Sequence, residues 1–311
     1  MNPPDPRRAP PLSRRVVTGL LATALMGCGL LDAPGTPTLV SHRAGAGRFP
    51  ENSRSAVIAA LAAGDAALEV DLVLTRDEIP VLSHDAFLSR ELCTHADGSP
   101  LPEEPVLIKD LFLAQLLEGY RCGGVADPDT PGAEVLADRL MTFTELLLLA
   151  APFPDVTLQL DIKQDPVDTL DADTYAEVIL AHWNAAMLSN PMFITATYPE
   201  TLRAFEARQD VTTLRIWPNF PPGANTTLVG LGNELTRTLG FQELVQLVRE
   251  ADADGIAVAF QVADRAAMET VRQAGYKTAL WTANKESELT LFCKWPIDYL
   301  ITDYPERAPC R

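Results

Sequence analysis

The segment that decides the fold runs from Thr38 to Leu74 and reads TLVSHRAGAGRFPENSRSAVIAALAAGDAALEVDLVL. It begins with a short apolar run that ends on two nitrogen-bearing side chains, and it finishes with the longer apolar run Ala67–Leu74. Between them lies a helix-forming stretch that stops at Ala63-Gly64, because a glycine commonly ends a helix before the next strand. We interpret the segment as a strand, a helix and a strand, the unit from which parallel sheets are built.

The same alternation continues along the chain, and another helical stretch closes on Ala274-Gly275. Eight strands alternating with helices over about 270 residues predict a (β/α)8 TIM barrel, with an open doubly wound sheet as the alternative. The predicted strands are Thr38–His42, Ala67–Leu74, Thr157–Ile162, Met192–Thr197, Thr213–Trp217, Gly255–Ala259, Lys277–Trp281 and Asp298–Thr302.

The stretch 86–139 follows the second predicted strand and is too long for an ordinary connection. It is rich in Pro, Asp and Gly, and we interpret it as an insertion on the catalytic face of the barrel. No composition change suggests a second domain, so residues 38–311 are predicted to form one.

Four cysteines follow the N-terminal region, an even number that permits two disulfides in an oxidising compartment. Pairing of sequence neighbours, Cys93 with Cys122 and Cys293 with Cys310, is the simplest of three connectivities. Buried free thiols are the alternative.

The N-terminal region has the features of an export signal. Arg14-Arg15 precede an apolar run of 11 residues, which is shorter than the ~20 helical residues that cross a bilayer. The run leads to Cys28 in a sequence similar to a bacterial lipobox, whose cysteine is lipidated. We predict a signal peptide at residues 1–27, lipidation of Cys28, a linker at 28–37 and an exported protein anchored by lipid to a membrane of the cell envelope. An ordinary cleaved signal peptide or a short anchor is the alternative.

Charge and composition exclude one class of partner. The chain has 42 Asp and Glu against 25 Lys and Arg, a net charge of −17. Proteins that hold nucleic acid through its phosphates need a basic face, so no nucleic-acid partner is expected. Any bound phosphate must therefore be neutralised by local groups.

Acidic residues lie on two neighbouring predicted strands. Glu69 and Asp71 are two residues apart, so both point to one face of the strand about 7 Å apart along it. Asp161 and Lys163 repeat the spacing on the third strand. A solvated strand face explains the first two acids taken alone, but three acids at one barrel mouth indicate a hard divalent cation with oxygen ligands.

Two of the four histidines flank this acidic cluster. His42 closes the first predicted strand and His84 follows the second. One imidazole can accept a proton from an attacking oxygen while the other donates one to a leaving oxygen, near neutral pH. His95 and His182 have no such setting, and we assign them to surface or packing roles.

Four stretches together resemble the successive motifs of the glycerophosphodiester phosphodiesterase family. The order and spacing agree from Leu39 to Pro305, nearly the whole chain after the export signal. The four stretches are HRAGAGRFPEN from His42, GDAALEVDLVLTRDEIPVLSHD from Gly64, LQLDIK from Leu158 and GYKTALWTANKESELTLFCKWPIDYLITDYPE from Gly275.

The resemblance implies a TIM barrel that hydrolyses glycerophosphodiesters to glycerol 3-phosphate and an alcohol with a divalent metal, for which we favour Ca²⁺ over Mg²⁺. For Glu51, which is implied to lie near metal and phosphate, a helix N-terminal acid is the alternative. The implied roles are catalysis for His42 and His84, metal binding for Glu69, Asp71 and Asp161, phosphate binding for Arg43, substrate binding for Glu51 and Lys163, and an aromatic wall for Trp281.

The chain departs from the family pattern at three positions. Ala44 and Glu78 stand where glycine is usual, and Asp161 stands where glutamate is usual. Asp161 reaches about one methylene less toward a metal, a gap that a water could fill around calcium.

Two other functions stay open at this point. A phospholipase C- or D-like enzyme on the same barrel could use residues 107–117, LIKDLFLAQLL, as an exposed apolar loop, although an amphipathic helix facing the core explains the same pattern. A non-catalytic lipoprotein that binds phosphate esters is the alternative from a different class.

Overall fold

The computed structural model describes residues 35–217 and 241–311. Within them, eight parallel strands close into a barrel, because β1 pairs with β2 on one side and with the last strand on the other. The barrel strands are β1 (Thr38–Ser41), β2 (Ala67–Leu74), β6 (Thr157–Ile162), β7 (Met192–Ala196), β8 (Thr212–Trp217), β9 (Gly255–Ala259), β10 (Lys277–Trp281) and β11 (Tyr299–Thr302). The predicted TIM barrel is confirmed, and the open sheet is excluded. The predicted signal peptide and Cys28 lie outside the described residues.

Helices follow the strands around the barrel. They are α1 (Arg54–Ala63), α2 (Leu113–Gly119), α3 (Phe143–Ala150), α4 (Ala172–Ala186), α5 (Pro199–Glu206), α6 (Phe241–Ala251), α7 (Arg265–Gln273) and α8 (Glu286–Phe292). The Ser53 hydroxyl accepts a hydrogen bond from the backbone of α1, and Gly64 ends that helix in the left-handed conformation. Across the two described stretches, no helix combines the length and the apolar character needed to cross a membrane.

The first strand is one residue shorter than predicted. β1 ends at Ser41, and His42–Ala44 form a short 3₁₀ turn. Arg43 and Ala44 have φ angles of 48° and 62°, in the left-handed region, so the backbone leaves the parallel ladder there. Glu78 has a φ of 60°. Both positions where this chain replaces the usual glycine are therefore ones that favour glycine.

Side chains of β2 alternate between two environments. Ala67 belongs to the apolar cluster inside the barrel, while Leu68, Val70 and Leu72 pack in the core between the barrel and the helices. The interior cluster is completed by one apolar side chain from each of six other strands, Val40, Phe193, Leu214, Ala257, Ala279 and Ile301. The barrel is therefore filled by side chains, and the polar residues that follow them on β2 lie toward its C-terminal end.

The predicted insertion is an ordered layer with its own small core. β3 (Pro80–Leu82) runs antiparallel to β2, and β4 (Cys93–His95) pairs with β5 (Tyr120–Cys122). The second core contains Leu88, Leu101, Ile108 and Leu116. Of residues 107–117, Ile108 and Leu116 are buried in this core while Phe112 is 43% exposed, the arrangement of an amphipathic segment.

Two disulfides join sequence neighbours, Cys93 with Cys122 and Cys293 with Cys310. The first links β4 to β5 across 29 residues, and the second ties the end of α8 to the C-terminus across 17. Closing loops of these lengths stabilises the folded state by roughly 3–4 kcal/mol each on a chain-entropy argument. The Cys93–Cys122 bridge thus joins the two short strands of the insertion to each other.

Candidate active site

The turn between β1 and α1 delivers His42 and Arg43 to the C-terminal end of the barrel. The Arg43 backbone N–H donates to Glu69 Oε2 at 2.6 Å, so the turn is attached to the second strand. Gly45, with a φ of 92°, donates its N–H to the His42 carbonyl at 2.7 Å and closes the turn.

Buried Asn52 locks this loop to β2. Its side-chain amide donates to Asp71 Oδ2 at 2.7 Å, and its carbonyl oxygen accepts the Asp71 backbone N–H at 3.1 Å. Its own backbone N–H donates to the Arg43 carbonyl at 3.0 Å. The asparagine, which we did not assign a role from sequence, thus fixes the carboxylate of Asp71 relative to the loop.

Three carboxylates from β2 and β6 meet toward the C-terminal end of the barrel. Oxygen atoms of Glu69, Asp71 and Asp161 lie within 4.8 Å of one another, and all three side chains are buried. Parallel pairing places Asp71 directly beside Asp161. Lys163 Nζ lies 2.6 Å from Asp161 Oδ2 and 2.9 Å from Asp71 Oδ1.

The charges of this cluster are not balanced by the lysine alone. Burial, together with the carboxylates of Asp71 and Asp161, raises the pKa of Glu69 well above its usual range. Burial also acts to raise the pKa of Asp71, but Lys163, His84 and Arg43 outweigh it and lower that pKa. Glu69 is therefore the acid of the cluster that takes up a proton most readily, whereas Asp71 is held in its ionised form.

The donor set fits a hard divalent cation. All three groups offer oxygen, and Asp71 Oδ1 is buried without a hydrogen bond in the described part of the chain, because the nearby Lys163 ammonium does not meet it in hydrogen-bonding geometry. Oxygen-only ligand sets suit Ca²⁺ and Mg²⁺. A bound cation would compensate the negative charge of Glu69 and satisfy the free oxygen of Asp71.

His42 is oriented by a carboxylate from the other end of the chain. Its Nδ1 lies 2.7 Å from Asp303 Oδ1, and Asp303 Oδ2 accepts the Asn284 side-chain amide at 2.5 Å. Burial acts to raise the pKa of Asp303, but His42 outweighs it, so the pKa is lowered and the carboxylate accepts rather than donates. His42 Nδ1 therefore carries the hydrogen, and Nε2, 4.0 Å from Glu69 Oε2, is the free nitrogen.

His84 has a similar but more exposed arrangement. Its Nδ1 lies 3.0 Å from Asp85 Oδ1, and its side chain is 30% exposed against 17% for His42. Burial acts to raise the pKa of Asp85, and hydrogen bonding to His84 lowers it overall. Each histidine thus has a carboxylate on one ring nitrogen and a free second nitrogen.

Arg43 provides an unused donor beside the carboxylates. Its guanidinium forms an ion pair with Glu51, and its Nε lies 3.9 Å from Asp71 Oδ2. That Nε is buried and has no hydrogen-bond partner among the described residues. Since a buried N–H is costly to leave unpaired, it is suited to an anionic ligand. Glu51 forms the ion pair with Arg43, so it helps to hold the arginine side chain in place within the loop.

Trp281 is the predicted site residue with the weakest connection to the others. It ends β10, and its indole N–H donates to the Ala257 carbonyl on β9 at 3.1 Å. Within residues 35–217 and 241–311, no hydrogen bond joins it to the other predicted site residues. Its ring packs against the apolar cluster inside the barrel.

Four residues of the site had no predicted role, namely Asn52, Asp85, Asn284 and Asp303. Asp303 was detectable, because it follows the end of β11 as His42 follows the end of β1. Asp85 adjoins a predicted histidine. Nothing in the sequence singles out Asn52 or Asn284, whose roles depend on contacts with other strands.

The cluster predicts that a divalent cation stabilises the fold. We expect CaCl₂ at 100 times its dissociation constant to stabilise the protein by about 2.7 kcal/mol and to raise Tm by several degrees. Asp161→Ala should lose this increment, whereas Asp155→Ala, an exposed acid before the same strand, should keep it. Equal calcium shifts in both variants, measured by differential scanning calorimetry after chelation, would show that the ion binds elsewhere.

Comparison with known proteins places this site in a family. An uncharacterised protein of Mycobacterium tuberculosis is 30% identical over 318 residues, covering 94% of this chain and 97% of that protein. The human lysophospholipase D GDPD3 is 24% identical and covers 89% of this chain and 86% of its own. These relatives match along almost the entire chain.

Solved structures share the barrel. A phosphodiesterase from Oleispira antarctica, in complex with the product sn-glycerol-3-phosphate, superposes with a TM-score of 0.65 at 20% identity and covers 88% of this chain and 95% of that chain. The sequence profile of the glycerophosphoryl diester phosphodiesterase family matches residues 42–307, from the first candidate catalytic histidine to the end of the barrel. The chain therefore belongs to the glycerophosphoryl diester phosphodiesterase family, whose members are phosphoric diester hydrolases.

Proposed function

We propose that the protein hydrolyses glycerophosphodiesters to glycerol 3-phosphate and an alcohol, using a divalent cation and two histidines. The observation that carries this proposal is the buried cluster of Glu69, Asp71 and Asp161 with the backbone of Arg43 bonded to it and His42 alongside. Membership of the family and the glycerol 3-phosphate bound to the Oleispira phosphodiesterase support the substrate class.

The phosphate would be held by local positive charge in an otherwise acidic protein. Arg43 offers its free Nε and Lys163 an ammonium, and both give charge-assisted hydrogen bonds to phosphate oxygens. The cation, held by the three carboxylates, would supply Lewis-acid stabilisation of negative charge on those oxygens. We favour Ca²⁺, because it tolerates irregular coordination and water ligands beside the short Asp161.

His42 is suited to the role of general base. Asp303 holds its Nδ1–H, so Nε2, 4.0 Å from Glu69 Oε2, is free to accept a proton. It would take the proton from the attacking oxygen, of water or of the glycerol 2-hydroxyl, as that oxygen forms its bond to phosphorus. Asp303 stabilises the imidazolium that results.

His84 is suited to the role of general acid. Its imidazolium, paired through Nδ1 with Asp85, would donate the Nε2 proton to the alcohol oxygen as the phosphorus–oxygen bond breaks. With water as the nucleophile, this step gives glycerol 3-phosphate and the alcohol, and proton exchange with solvent returns both rings to their starting states. With the glycerol 2-hydroxyl as the nucleophile, the first step gives a cyclic phosphate and the alcohol. Water activated by His84 would then open the cyclic phosphate while His42 returns its proton to the 2-oxygen, which restores both rings.

A second candidate substrate is a lysophospholipid, because the human relative is a lysophospholipase D. In this chain the apolar residues Ile108 and Leu116 of the insertion are buried rather than exposed to a lipid. Hydrolysis of glycerophosphocholine compared with lysophosphatidylcholine below its micelle concentration separates the two substrates. The absence of turnover with either, in the presence of calcium, would favour the binding lipoprotein.

The histidine roles give an asymmetric prediction. His42→Ala and His84→Ala should each lower kcat for glycerophosphocholine by ~10²–10⁴-fold with smaller changes in KM. A p-nitrophenyl phosphodiester has a leaving group that needs no proton, so it should restore much of the activity of His84→Ala and little of His42→Ala. Thermal melts check folding, and His182→Ala, a partly buried histidine on α4 outside the candidate site, is the matched control. Near-parental turnover by either folded variant would remove that histidine from the mechanism.

We also propose that the protein is exported and anchored to a membrane of the cell envelope through lipid on Cys28. This proposal is supported by the sequence alone. An apolar run of 11 residues leads into Leu25-Met26-Gly27-Cys28, which is similar to a lipobox. The two disulfides suit the oxidising compartment that export implies.

Cys28→Ser should abolish lipidation, because the thiol is the attachment point. We expect the parent protein to enter the detergent phase on Triton X-114 partitioning and the variant to stay in the aqueous phase. Equal partitioning of both proteins would contradict the anchor.

A further inference from the structure

Asp161 is held differently from the other two acids of the cluster. Glu69 and Asp71 each accept a hydrogen bond from an N–H group of the loop after β1. Asp161 instead accepts one from the side-chain hydroxyl of Thr195 on β7, which lies 3.2 Å from Oδ1. This acid is therefore attached to the strand on its other side rather than to the loop.

The register of the barrel places Thr195 beside Asp161. The two residues are paired on the parallel strands β6 and β7, and both are buried. Side chains at paired positions of neighbouring parallel strands lie on the same face of the sheet, so the short Asp161 side chain is within reach of the hydroxyl. A glutamate, which is usual at this position, would extend its carboxylate farther from the strand.

Gln159 fixes the direction in which the Thr195 hydroxyl donates. Its Nε2 donates to Thr195 Oγ1 at 3.3 Å. A carboxylate oxygen only accepts, so the hydroxyl gives its single hydrogen to Asp161 and accepts from the glutamine amide. The Gln159 carbonyl oxygen is buried and has no hydrogen-bond partner among the described residues. The amide is therefore oriented by Thr195 and not by a bond at its other end.

The Asp161 carboxylate is contacted at both oxygens. Lys163 Nζ lies 2.6 Å from Oδ2, and Thr195 donates to Oδ1. Each carboxylate oxygen has a second lone pair, so the carboxylate can bind a cation while it keeps both contacts. Lys163 is also proposed to donate to the phosphate. Thr195 is the donor that continues to hold Asp161 when the lysine turns toward that ligand.

We propose that Thr195 is a positioning residue for the cation site. Its hydroxyl, directed by Gln159, holds Asp161 in the orientation that binds the cation. The inference rests on the cation site of the proposed function, and it assigns a residue that acts through a metal ligand without touching the substrate. Removing a group that orients a metal ligand typically weakens metal binding by roughly 10–100-fold.

The test is the dissociation constant for CaCl₂, or for MgCl₂ if the parent binds magnesium more tightly. It is measured by isothermal titration calorimetry on chelator-treated protein without substrate, and Asp161→Ala identifies the heat that belongs to the cluster. Thr195→Val keeps the size and branching of the side chain but removes the hydroxyl, so we expect the dissociation constant to rise by roughly 10–100-fold. Thr195→Ser retains the donor and should bind the cation with nearly the parent affinity.

Thr278→Val is the matched control. Thr278 is a fully buried threonine on β10, and its hydroxyl donates at 3.1 Å to Asp298, which precedes β11 at the N-terminal end of the barrel. The control therefore removes the same kind of hydrogen bond away from the carboxylate cluster. It should lower Tm but leave the dissociation constant for the cation unchanged.

The outcomes separate this inference from the proposed function. Parental affinity in Thr195→Val, or an equal loss in Thr195→Val and Thr278→Val, overturns the positioning role, while cation-dependent hydrolysis of glycerophosphocholine by the parent upholds the proposed function. A parent that binds neither Ca²⁺ nor Mg²⁺ refutes the cation site and this inference together. If Thr195→Val does not fold, Thr195→Ala carries the test, and parental affinity in that variant overturns the positioning role.

Discussion

Three carboxylates on β2 and β6 are buried within 4.8 Å of one another, and the other polar groups of the site are arranged around their charge. Burial of like charges is costly unless positive charge compensates it. Lys163 provides part of that compensation and contacts two of the three acids. The raised pKa of Glu69 indicates that the negative charge of the cluster is not fully compensated, and a divalent cation would supply the missing positive charge. Lys163 and Arg43, which offset the negative charge of the cluster, are also the groups that would bind a phosphate.

Closure of the barrel is what brings the two ends of the chain to this cluster. β1 pairs with β11, so Asp303 reaches His42 across 261 positions of sequence. β1 also contacts β2, and the Arg43 backbone bonds to Glu69. An open sheet would leave His42 without its carboxylate partner. Catalytic geometry therefore depends on the register of the closing strands as well as on the residues themselves.

Much of this architecture could be predicted from the sequence, because the signals were local. Apolar runs, glycine stops and the two-residue spacing of Glu69 and Asp71 predict strands, helices and a shared strand face. The insertion was predicted from its length. A pocket lined by His84 and by residues of the insertion was not predicted, because it depends on how the disulfide-linked insertion packs against the barrel.

The missed residues share a physical reason. Asn52 and Asn284 act through hydrogen bonds to carboxylates on other strands, and no local pattern reports such contacts. The turn after β1 was predicted one residue late, since an alanine and an arginine in the left-handed region give no sequence signal of the kind that glycine gives. Export, lipidation and the catalytic roles of the individual residues remain predictions.

The central claim is that the buried acidic cluster is a cation site next to a phosphate site. The most direct measurement is an anomalous difference map from crystals grown with MnCl₂ and glycerol 3-phosphate, with data collected at the manganese edge. The account predicts a peak within coordination distance of Glu69, Asp71 and Asp161, with the phosphate beside Arg43 and Lys163. Full phosphate occupancy with no anomalous peak, and Lys163 still bridging Asp71 and Asp161, would contradict it.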